Sequence, residues 1–179
     1  NIKVMDEFVD IIDTTEVVVA TVPKSQAHKE GLLHKTVISQ LINSRGEFCF
    51  VRQAGNKQDA GQFVSPVGGH VGAGESDDAA LIRECQEECG ITPTNYKLLG
   101  TTIYNREVIG RNENHFFVVY EIYTDEDPVL NHESVEFKRF TKEDIKSLVQ
   151  SDPALFGAAW HHVFKTFYSS IYRAKPIAR

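Results

Sequence analysis

The sequence is poor in cysteine, in long apolar runs and in clustered positive charge, and each shortage excludes a class of protein. The three cysteines, Cys49, Cys85 and Cys89, include no Cys-x-x-Cys pair, which disfavours a disulfide framework and favours a cytoplasmic location. No apolar run reaches the length of a membrane span, so we expect no membrane partner. The net charge is −6 without a basic stripe, so we expect no binding to duplex nucleic acid.

Length and composition are those of one ordinary globular domain. The chain has 179 residues, of which 41% are hydrophobic and 25% are charged, and it contains no internal repeat. We therefore predict a single domain over residues 1–179, in which residues 1–33 supply N-terminal strands and a short helix. Residues 173–179 are predicted to form a frayed tail.

Alternating apolar segments predict a sheet that helices cover on both faces. The predicted strands are 8–12, 17–22, 34–42, 47–52, 63–71, 96–108, 115–123 and 134–140, with a polar hairpin loop at 109–114. Thr141 is the predicted N-cap of a short helix, and Pro153 is predicted to open a last helix. The apolar stripe of that helix, interpreted as core packing, comprises Phe156, Trp160, Val163, Phe167 and Ile171. The pattern predicts an α/β fold with a mixed β-sheet.

The segment from Gly69 to Ile91 is a glycine-rich turn followed by a helix of about four turns. Ser76 is its predicted N-cap, and Gly90 is its predicted C-terminal stop. At about 100° per residue, the side predicted to face the core carries Ile82, Cys85 and Cys89.

Three carboxylates share the opposite side of this helix, and they belong to Glu84, Glu87 and Glu88. Like charges at this spacing cost about a few tenths of a kcal/mol per pair, so a purely structural helix would place a lysine among them. A hard divalent cation would relieve the repulsion, and ligands that are all oxygen favour Mg²⁺ or Mn²⁺. The alternative is a solvated acidic face without a ligand.

The spacing of these residues resembles the Nudix box. The pattern Gly-x5-Glu-x7-Arg-Glu-apolar-x-Glu-Glu-x-Gly-apolar is filled from Gly69 to Ile91, with Cys85 where the family usually has an aliphatic residue. The resemblance implies an α/β/α sandwich, with the box helix and a C-terminal helix on the faces of the sheet. It also implies divalent-metal-dependent hydrolysis of the diphosphate bond in a nucleoside diphosphate linked to another moiety.

The same match implies roles for single residues. The three glutamates of the helix would bind Mg²⁺ or Mn²⁺ and serve catalysis, and the backbone carbonyl of Gly68 would add a ligand. Arg83 and Glu75 match the pair that orients the box. The general base would be a box glutamate or a distant one, for which Glu113 and Glu136 are the candidates, although either could be a surface acid. Candidate phosphate contacts, each of which could equally be ordinary surface charge, are Arg52, Lys57, Arg106 and Arg111.

A second resemblance covers most of the chain and is to isopentenyl diphosphate isomerase, a Nudix-fold enzyme, and to its hydrolase-like relatives. His28, His34 and His70 match three metal-binding histidines of the isomerase, which implies a second metal site. Hydrogen-bonded structural histidines are the alternative. The two metal-binding glutamates of the isomerase are matched imperfectly, since the second of them falls on His115.

The decisive departure from the isomerase is Gly68, which stands where that enzyme has a catalytic cysteine. Glycine has no side chain to give or take a proton, so the sequence favours hydrolysis and keeps isomerisation as the alternative. A non-catalytic nucleotide-binding module is a third hypothesis, which the complete set of box glutamates disfavours. The expected partner is a small nucleoside diphosphate derivative, and a homodimer is left open because many Nudix enzymes are dimers.

Overall fold

The computed structural model describes residues 5–172, so the predicted tail at 173–179 lies outside the described part of the chain. The strands are β1 (Phe8–Ile12), β2 (Val18–Pro23), β3 (His34–Ile42), β4 (Phe48–Gln53), β5 (Phe63–Val64), β6 (Val67–His70), β7 (Tyr96–Val108), β8 (Arg111–Tyr123) and β9 (Ser134–Phe140). The helices are α1 (Lys24–Glu30), α2 (Asp77–Cys89), α3 (Lys142–Ser151), α4 (Ala158–Phe167) and α5 (Ser169–Tyr172), with a 3₁₀ turn at Pro153–Leu155. None of these helices combines the length and the apolarity that crossing a bilayer requires.

One mixed sheet joins the strands, as predicted, and β3 lies at its centre. Strand β8 runs parallel to β3 along its whole length, from His34 opposite His115 to Ile42 opposite Tyr123. The other edge of β3 pairs in turn with β1, β6 and β4, all antiparallel. Strand β2 extends the sheet beyond β1, β7 pairs with β8, and β5 and β9 pair with β4. A central strand with partners on both edges explains why the segment from 34 to 42 is so rich in buried residues.

Helices cover both faces of the sheet, which confirms the predicted α/β/α arrangement. Helix α2 packs on one face, where Leu81, Cys85 and Cys89 are fully buried. Helices α3, α4 and α5 pack on the other face and contribute Ile145 and Phe164, among others, to a second apolar cluster. Alternate residues of β3 and β8 point into the two clusters, as the two-residue period of a strand requires.

The orientation of α2 differs slightly from the prediction. Its caps are those expected, because Ser76 Oγ accepts from the amide of Ala79 and Gly90 adopts φ of 64°. However, Ile82, which was predicted to face the core, is only half-buried, and Leu81 is buried in its place. The helix is turned so that the carboxylate of Glu84 lies against the sheet and not in solvent.

The predicted strand at 63–71 is wrong in one respect, because it is broken at Ser65 and Pro66. The first part, β5, pairs with β4. The second part, β6, pairs with β3, from Val67 opposite Ser39 to His70 opposite Thr36. The chain changes partner at this break, and β4 and β6 therefore diverge around a cleft.

The predicted hairpin loop at 109–114 is also wrong, because the turn is confined to Ile109 and Gly110. Both residues have positive φ, 51° and 69°, which is the conformation of a tight two-residue hairpin turn. Strand β8 therefore begins at Arg111, four residues before the predicted start. Because side chains alternate along a strand, Arg111, Glu113 and His115 fall on the same side of the sheet.

The last helix begins later than predicted, since Pro153 opens only the 3₁₀ turn and α4 starts after Gly157. The ring of Trp160 stacks on those of Phe156 and Phe164, with 4.2 Å between centroids in each pair. Phe167, predicted as part of the stripe, is half-buried. The predicted core role of this helix is nevertheless confirmed by its buried residues.

Candidate active site

A cavity of about 370 Å³ lies where β4 and β5 diverge from β6. Helix α2, which is the predicted box helix, forms one wall of this cavity. The predicted site residues that line it are Lys57, Gly68, His70, Arg83, Glu84, Glu87, Glu88, Arg106, Arg111 and Glu113. Lys57 is already paired with Glu133 over 2.9 Å. Arg52 and Glu136 do not belong to the lining, and they pair with each other between β4 and β9, with 2.9 Å from Nε to Oε1. The structure therefore does not bring these two residues to the box glutamates.

Glu84 and Gly69 fit together so closely that the strand position requires glycine. A Cβ atom on Gly69 would lie 2.1 Å from the carboxyl carbon of Glu84. Arg83 Nη1 donates to Glu84 Oε1 over 2.7 Å. Burial raises the pKa of Glu84 to about 7, against the effect of this hydrogen bond. The box helix thus holds one carboxylate directly over β6.

Glu88 and Glu87 occupy different environments. The amide of Gly68 donates to Glu88 Oε2 over 3.0 Å, and the carbonyl of a strand residue points to the same edge as its amide. Burial raises the pKa of Glu88 to about 9 against that hydrogen bond, and the charge of Glu84 adds to the rise. The side chain of Glu87, in contrast, is 57% exposed and lines the cavity. The site therefore combines the buried carboxyl of Glu84 and the half-buried carboxyl of Glu88 with that of Glu87, which is accessible to solvent.

Arg83 ties the box turn to the helix and to the sheet. Its Nε and Nη2 donate to the two carboxylate oxygens of Glu75 over 2.9 and 2.8 Å. Nη2 also donates to the carbonyl of His70 over 2.9 Å. The hydrogen bonds to Glu75 raise the pKa of Arg83, so the guanidinium keeps its charge. This geometry is what the predicted orienting role of Arg83 and Glu75 requires.

Four histidines from four elements converge beside the cavity: His28 of α1, His34 of β3, His70 of β6 and His115 of β8. One ring nitrogen of each lies within 4.8 Å of the others. Nε2 of His28 is 3.1 Å from Nε2 of His70 and 3.3 Å from Nε2 of His115. Tetrahedral ligands at about 2.0–2.1 Å from a metal ion are roughly 3.4 Å apart, so these separations suit a shared ion.

The buried histidines are kept neutral, which is the form that binds a metal. Burial lowers the pKa of all four imidazoles, in His28 to about 4. Nδ1 of His34 donates to the carbonyl of Leu32 over 2.7 Å, which leaves a lone pair on Nε2. Within residues 5–172, that Nε2 atom is buried without a hydrogen-bond partner. Hydrogen bonding alone therefore does not account for the cluster.

A buried ion network holds two of the predicted phosphate contacts. Arg106 donates to both carboxylate oxygens of Asp59, over 2.9 and 3.2 Å, and to Glu113 over 3.3 Å. Arg111 donates to the other oxygen of Glu113 over 2.7 Å. Burial opposes the charge of Arg106, but the hydrogen bonds to Asp59 and the negative charges of Glu113 and Asp59 together outweigh it and raise the pKa. Both oxygens of Glu113 therefore already accept hydrogen bonds from arginine.

Known proteins resemble this chain in sequence and in structure. The sequence matches the NUDIX domain family over residues 32–158, which is more than half of the chain. The chain belongs to the Nudix family. An uncharacterized Nudix hydrolase of Nostoc sp. is 30% identical over 155 residues, 83% of this chain and 89% of that protein. This Nudix chain is an enzyme of the hydrolase class that acts on pyrophosphate bonds.

Two further similarities agree with the Nudix assignment. The isopentenyl-diphosphate Delta-isomerase 2 of Photorhabdus laumondii is 23% identical over 158 residues, 85% of this chain and 87% of that protein. This bears out the predicted likeness to the isomerase subgroup. The crystal structure of DR0079 from Deinococcus radiodurans has a TM-score of 0.72 and 19% identity, and the match covers 90% of this chain and 99% of that one. At this identity the likeness shows the fold.

The sequence analysis did not include His115 in the histidine site, and it missed Asp59. His115 was predicted to begin a strand and was matched to a metal-binding glutamate of the isomerase, whereas the structure places it beside the other three histidines. A two-residue period from Arg111 to Phe117 would have indicated that these alternate residues share one side. Asp59, the partner of Arg106, lies in a polar loop that carries no motif, so the sequence offered no signal for it.

Proposed function

We propose that this Nudix hydrolase cleaves the diphosphate bond of a nucleoside diphosphate linked to another moiety, in a reaction that depends on Mg²⁺ or Mn²⁺. The observation that supports the proposal is the pair of a buried Glu84 and a half-buried Glu88 on one turn of α2, both with raised pKa values. Buried carboxyls in this arrangement ionise together only when a cation joins them. The carboxylate oxygens of Glu84, Glu87 and Glu88 and the carbonyl of Gly68 form the donor set that hard divalent cations prefer.

A divalent cation at these residues would supply positive charge to the diphosphate and lower the pKa of the attacking water. The other roles fall to the protein. Arg83, fixed by Glu75, holds Glu84 in place. Glu87 is the proposed general base, because its carboxylate is accessible in the cavity and only one of its oxygens contacts an arginine, Arg83 at 3.4 Å, whereas both oxygens of Glu113 are engaged by arginines. Arg106 and Arg111 would bind phosphate only by exchanging their carboxylate partners, so we assign them a secondary role.

The proposed reaction is tested by measuring phosphate and nucleotide release from a panel of nucleoside diphosphate derivatives, with isopentenyl diphosphate included. We expect cleavage of at least one nucleotide class with Mg²⁺ or Mn²⁺, and none with excess chelator. Glu87→Gln should lower kcat by about 100-fold or more, as loss of a general base does. Cleavage that survives complete chelation would contradict the proposal, and so would double-bond migration in isopentenyl diphosphate without phosphate release.

We also propose that the four histidines form a second metal site, separate from the box. Ligation by imidazole nitrogen alone suits Zn²⁺ and other borderline transition metals better than Mg²⁺. His115 supplies the fourth nitrogen that closes a tetrahedral set, and closed sets are typical of structural zinc. Glu113 Oε2 lies 3.7 Å from Nδ1 of His115, beyond hydrogen-bond distance, so Glu113 would support a ligating ring through its charge.

Zinc titration of the chelator-treated protein tests this second site. In a background of Glu84→Gln and Glu88→Gln, which disables the box, we expect one equivalent of Zn²⁺ to bind and to raise the unfolding temperature. Adding His28→Ala should weaken that binding by more than about 100-fold, the upper end of what even a supporting residue contributes. Adding His132→Ala, a change at an exposed histidine, should leave it unchanged. Equal zinc affinity in the His28 and His132 variants would refute the site.

A further inference from the structure

Three buried polar atoms in the cavity lining have no partner within the described residues: Oγ1 of Thr36, Nε1 of Trp160 and Nε of Arg111. Of the three residues, Thr36 and Trp160 are more than nine-tenths buried, with 7% and 1% exposed. Buried donors and acceptors in folded proteins are nearly always paired, because an unpaired one forfeits its hydrogen bonds to water. Thr36 and Trp160 therefore indicate that a group bound in the cavity supplies the missing hydrogen bonds.

Apolar side chains lie beside both Thr36 and Trp160, although His70 is also opposite Thr36, on β6. Thr36 lies on β3 directly opposite Phe117 of β8, and Ile38 follows on the same side of the strand. Ala159 precedes Trp160 on α4, and all five residues belong to the cavity lining. An uncharged group with a mainly aliphatic surface fits such walls. Nε1 of Trp160 can only donate, so the group must also present a hydrogen-bond acceptor.

The aromatic rings of the lining offer no free face for a nucleobase. The ring of Trp160 is stacked between Phe156 and Phe164, with 4.2 Å between centroids on each side. Phe117 is stacked on Tyr104 at 5.4 Å and is 3% exposed. Bases are usually held by stacking on an exposed aromatic face. This part of the cavity is therefore suited to the other moiety of the substrate, and the nucleoside is left outside it.

We propose that Thr36 and Trp160 determine the specificity of the enzyme by hydrogen-bonding an acceptor oxygen of the non-nucleoside moiety, which is a compact, uncharged, mainly aliphatic group. This inference rests on the proposed hydrolysis in one respect: the bond that is cleaved is taken to lie next to the box glutamates. The Trp160 indole and the Thr36 hydroxyl reject a purely aliphatic group, because that group would leave both atoms unpaired. A charged group is disfavoured as well, because Arg106, Arg111 and Lys57 each already pair with a carboxylate.

Three esters of ADP that differ by one atom test the inference. In the 2-ethoxyethyl and 3-methoxypropyl esters, an ether oxygen replaces one methylene of the n-pentyl ester, so shape is kept and an acceptor is added. Binding is measured by calorimetry with Ca²⁺, which like Mg²⁺ takes oxygen ligands, and cleavage is measured with Mg²⁺. We expect one ether ester to bind about tenfold more tightly than the pentyl ester, the effect of one buried hydrogen bond.

Variants locate the source of the preference. Thr36→Val and Trp160→Phe should each reduce it to about twofold or less, by loss of one hydrogen bond. Thr36→Ser keeps the hydroxyl and should retain the preference. Tyr168→Phe removes a buried hydroxyl outside the cavity lining and should also retain it. Thr36→Val conserves shape, so the test stands even where Trp160→Phe fails to fold.

The failure of this inference is distinct from the failure of the proposed function. Equal dissociation constants for the three esters, or no binding of any of them, would overturn the inference. A preference that survives Thr36→Val and Trp160→Phe would overturn it as well. Ether-dependent binding without metal-dependent cleavage would uphold the inference and contradict the hydrolysis of ADP derivatives.

Discussion

Glu88→Gln is expected to abolish hydrolysis and yet to make the metal-free protein more stable at pH 8. Burial raises the pKa of Glu88 to about 9, well above the ordinary value of 4.5 for a glutamate. An acid with a raised pKa in the folded state disfavours folding once the unfolded chain ionises, so stability falls as pH rises from 4.5 towards 9. Glutamine carries no charge to bury, and its side-chain oxygen can still accept from the amide of Gly68.

Thermal unfolding with excess chelator checks the stability part of this prediction. The variant should unfold a few degrees above the wild type at pH 8, a shift of the size that about 1 kcal/mol produces, and the gap should be smaller at pH 6. Adding Mg²⁺ should stabilise the wild type and not the variant, because a ligand that binds the folded state raises its stability.

The matched control is Glu87→Gln, whose side chain is mostly exposed. This change should cost activity without the pH-dependent gain in stability, since the side chain of Glu87 stays mostly in water in the folded state. Hydrolysis should fall by about 100-fold or more in Glu87→Gln. A Glu88→Gln protein that is less stable than the wild type in chelator at pH 8 would show that the ionisation of Glu88 does not destabilise the folded protein.

The box helix could be predicted from the sequence because its determinants are local. Ser76 and Gly90 set its ends, and the spacing of the glutamates places them on one side at any rotation of the helix. The rotation itself depends on packing against β6. The sequence could not show that Glu84 would lie over Gly69, because the contact joins residues of different elements and depends on how α2 sits on the sheet.

The histidine cluster could not be fully predicted, because its geometry depends on strand register. Register is decided by pairing between strands that lie far apart in the chain. His34 and His115 are aligned by the parallel pairing of β3 and β8, and His70 is brought opposite Thr36 by the antiparallel pairing of β6. The predicted hairpin loop was four residues too wide, so His115 was placed at the start of its strand and Arg111 and Glu113 were left outside it. The two-residue turn at Ile109 and Gly110 fixes the register and with it the position of His115.

Gly69→Ala is expected to disable the site although it adds a single methyl group. The new Cβ would lie 2.1 Å from the carboxyl carbon of Glu84, a distance that forces the carboxylate or the strand to move. Moving the carboxylate also breaks the 2.7 Å hydrogen bond from Arg83. We expect Mg²⁺ affinity and hydrolysis to fall by about 100-fold or more, since a displaced ligand costs at least as much as a lost supporting residue.

Gly68→Ala is the matched neighbour, because a Cβ there would meet no atom closer than 3.9 Å, and the backbone amide that binds Glu88 is kept. Its unfolding temperature should stay close to that of the wild type, whereas that of Gly69→Ala should fall by several degrees, as overpacking typically costs about 1–3 kcal/mol. Calorimetric titration with Mg²⁺ and thermal unfolding of the two variants side by side provide the measurement. If Gly69→Ala bound Mg²⁺ as the wild type does, Glu84 could not be a ligand in the position where the structure places it.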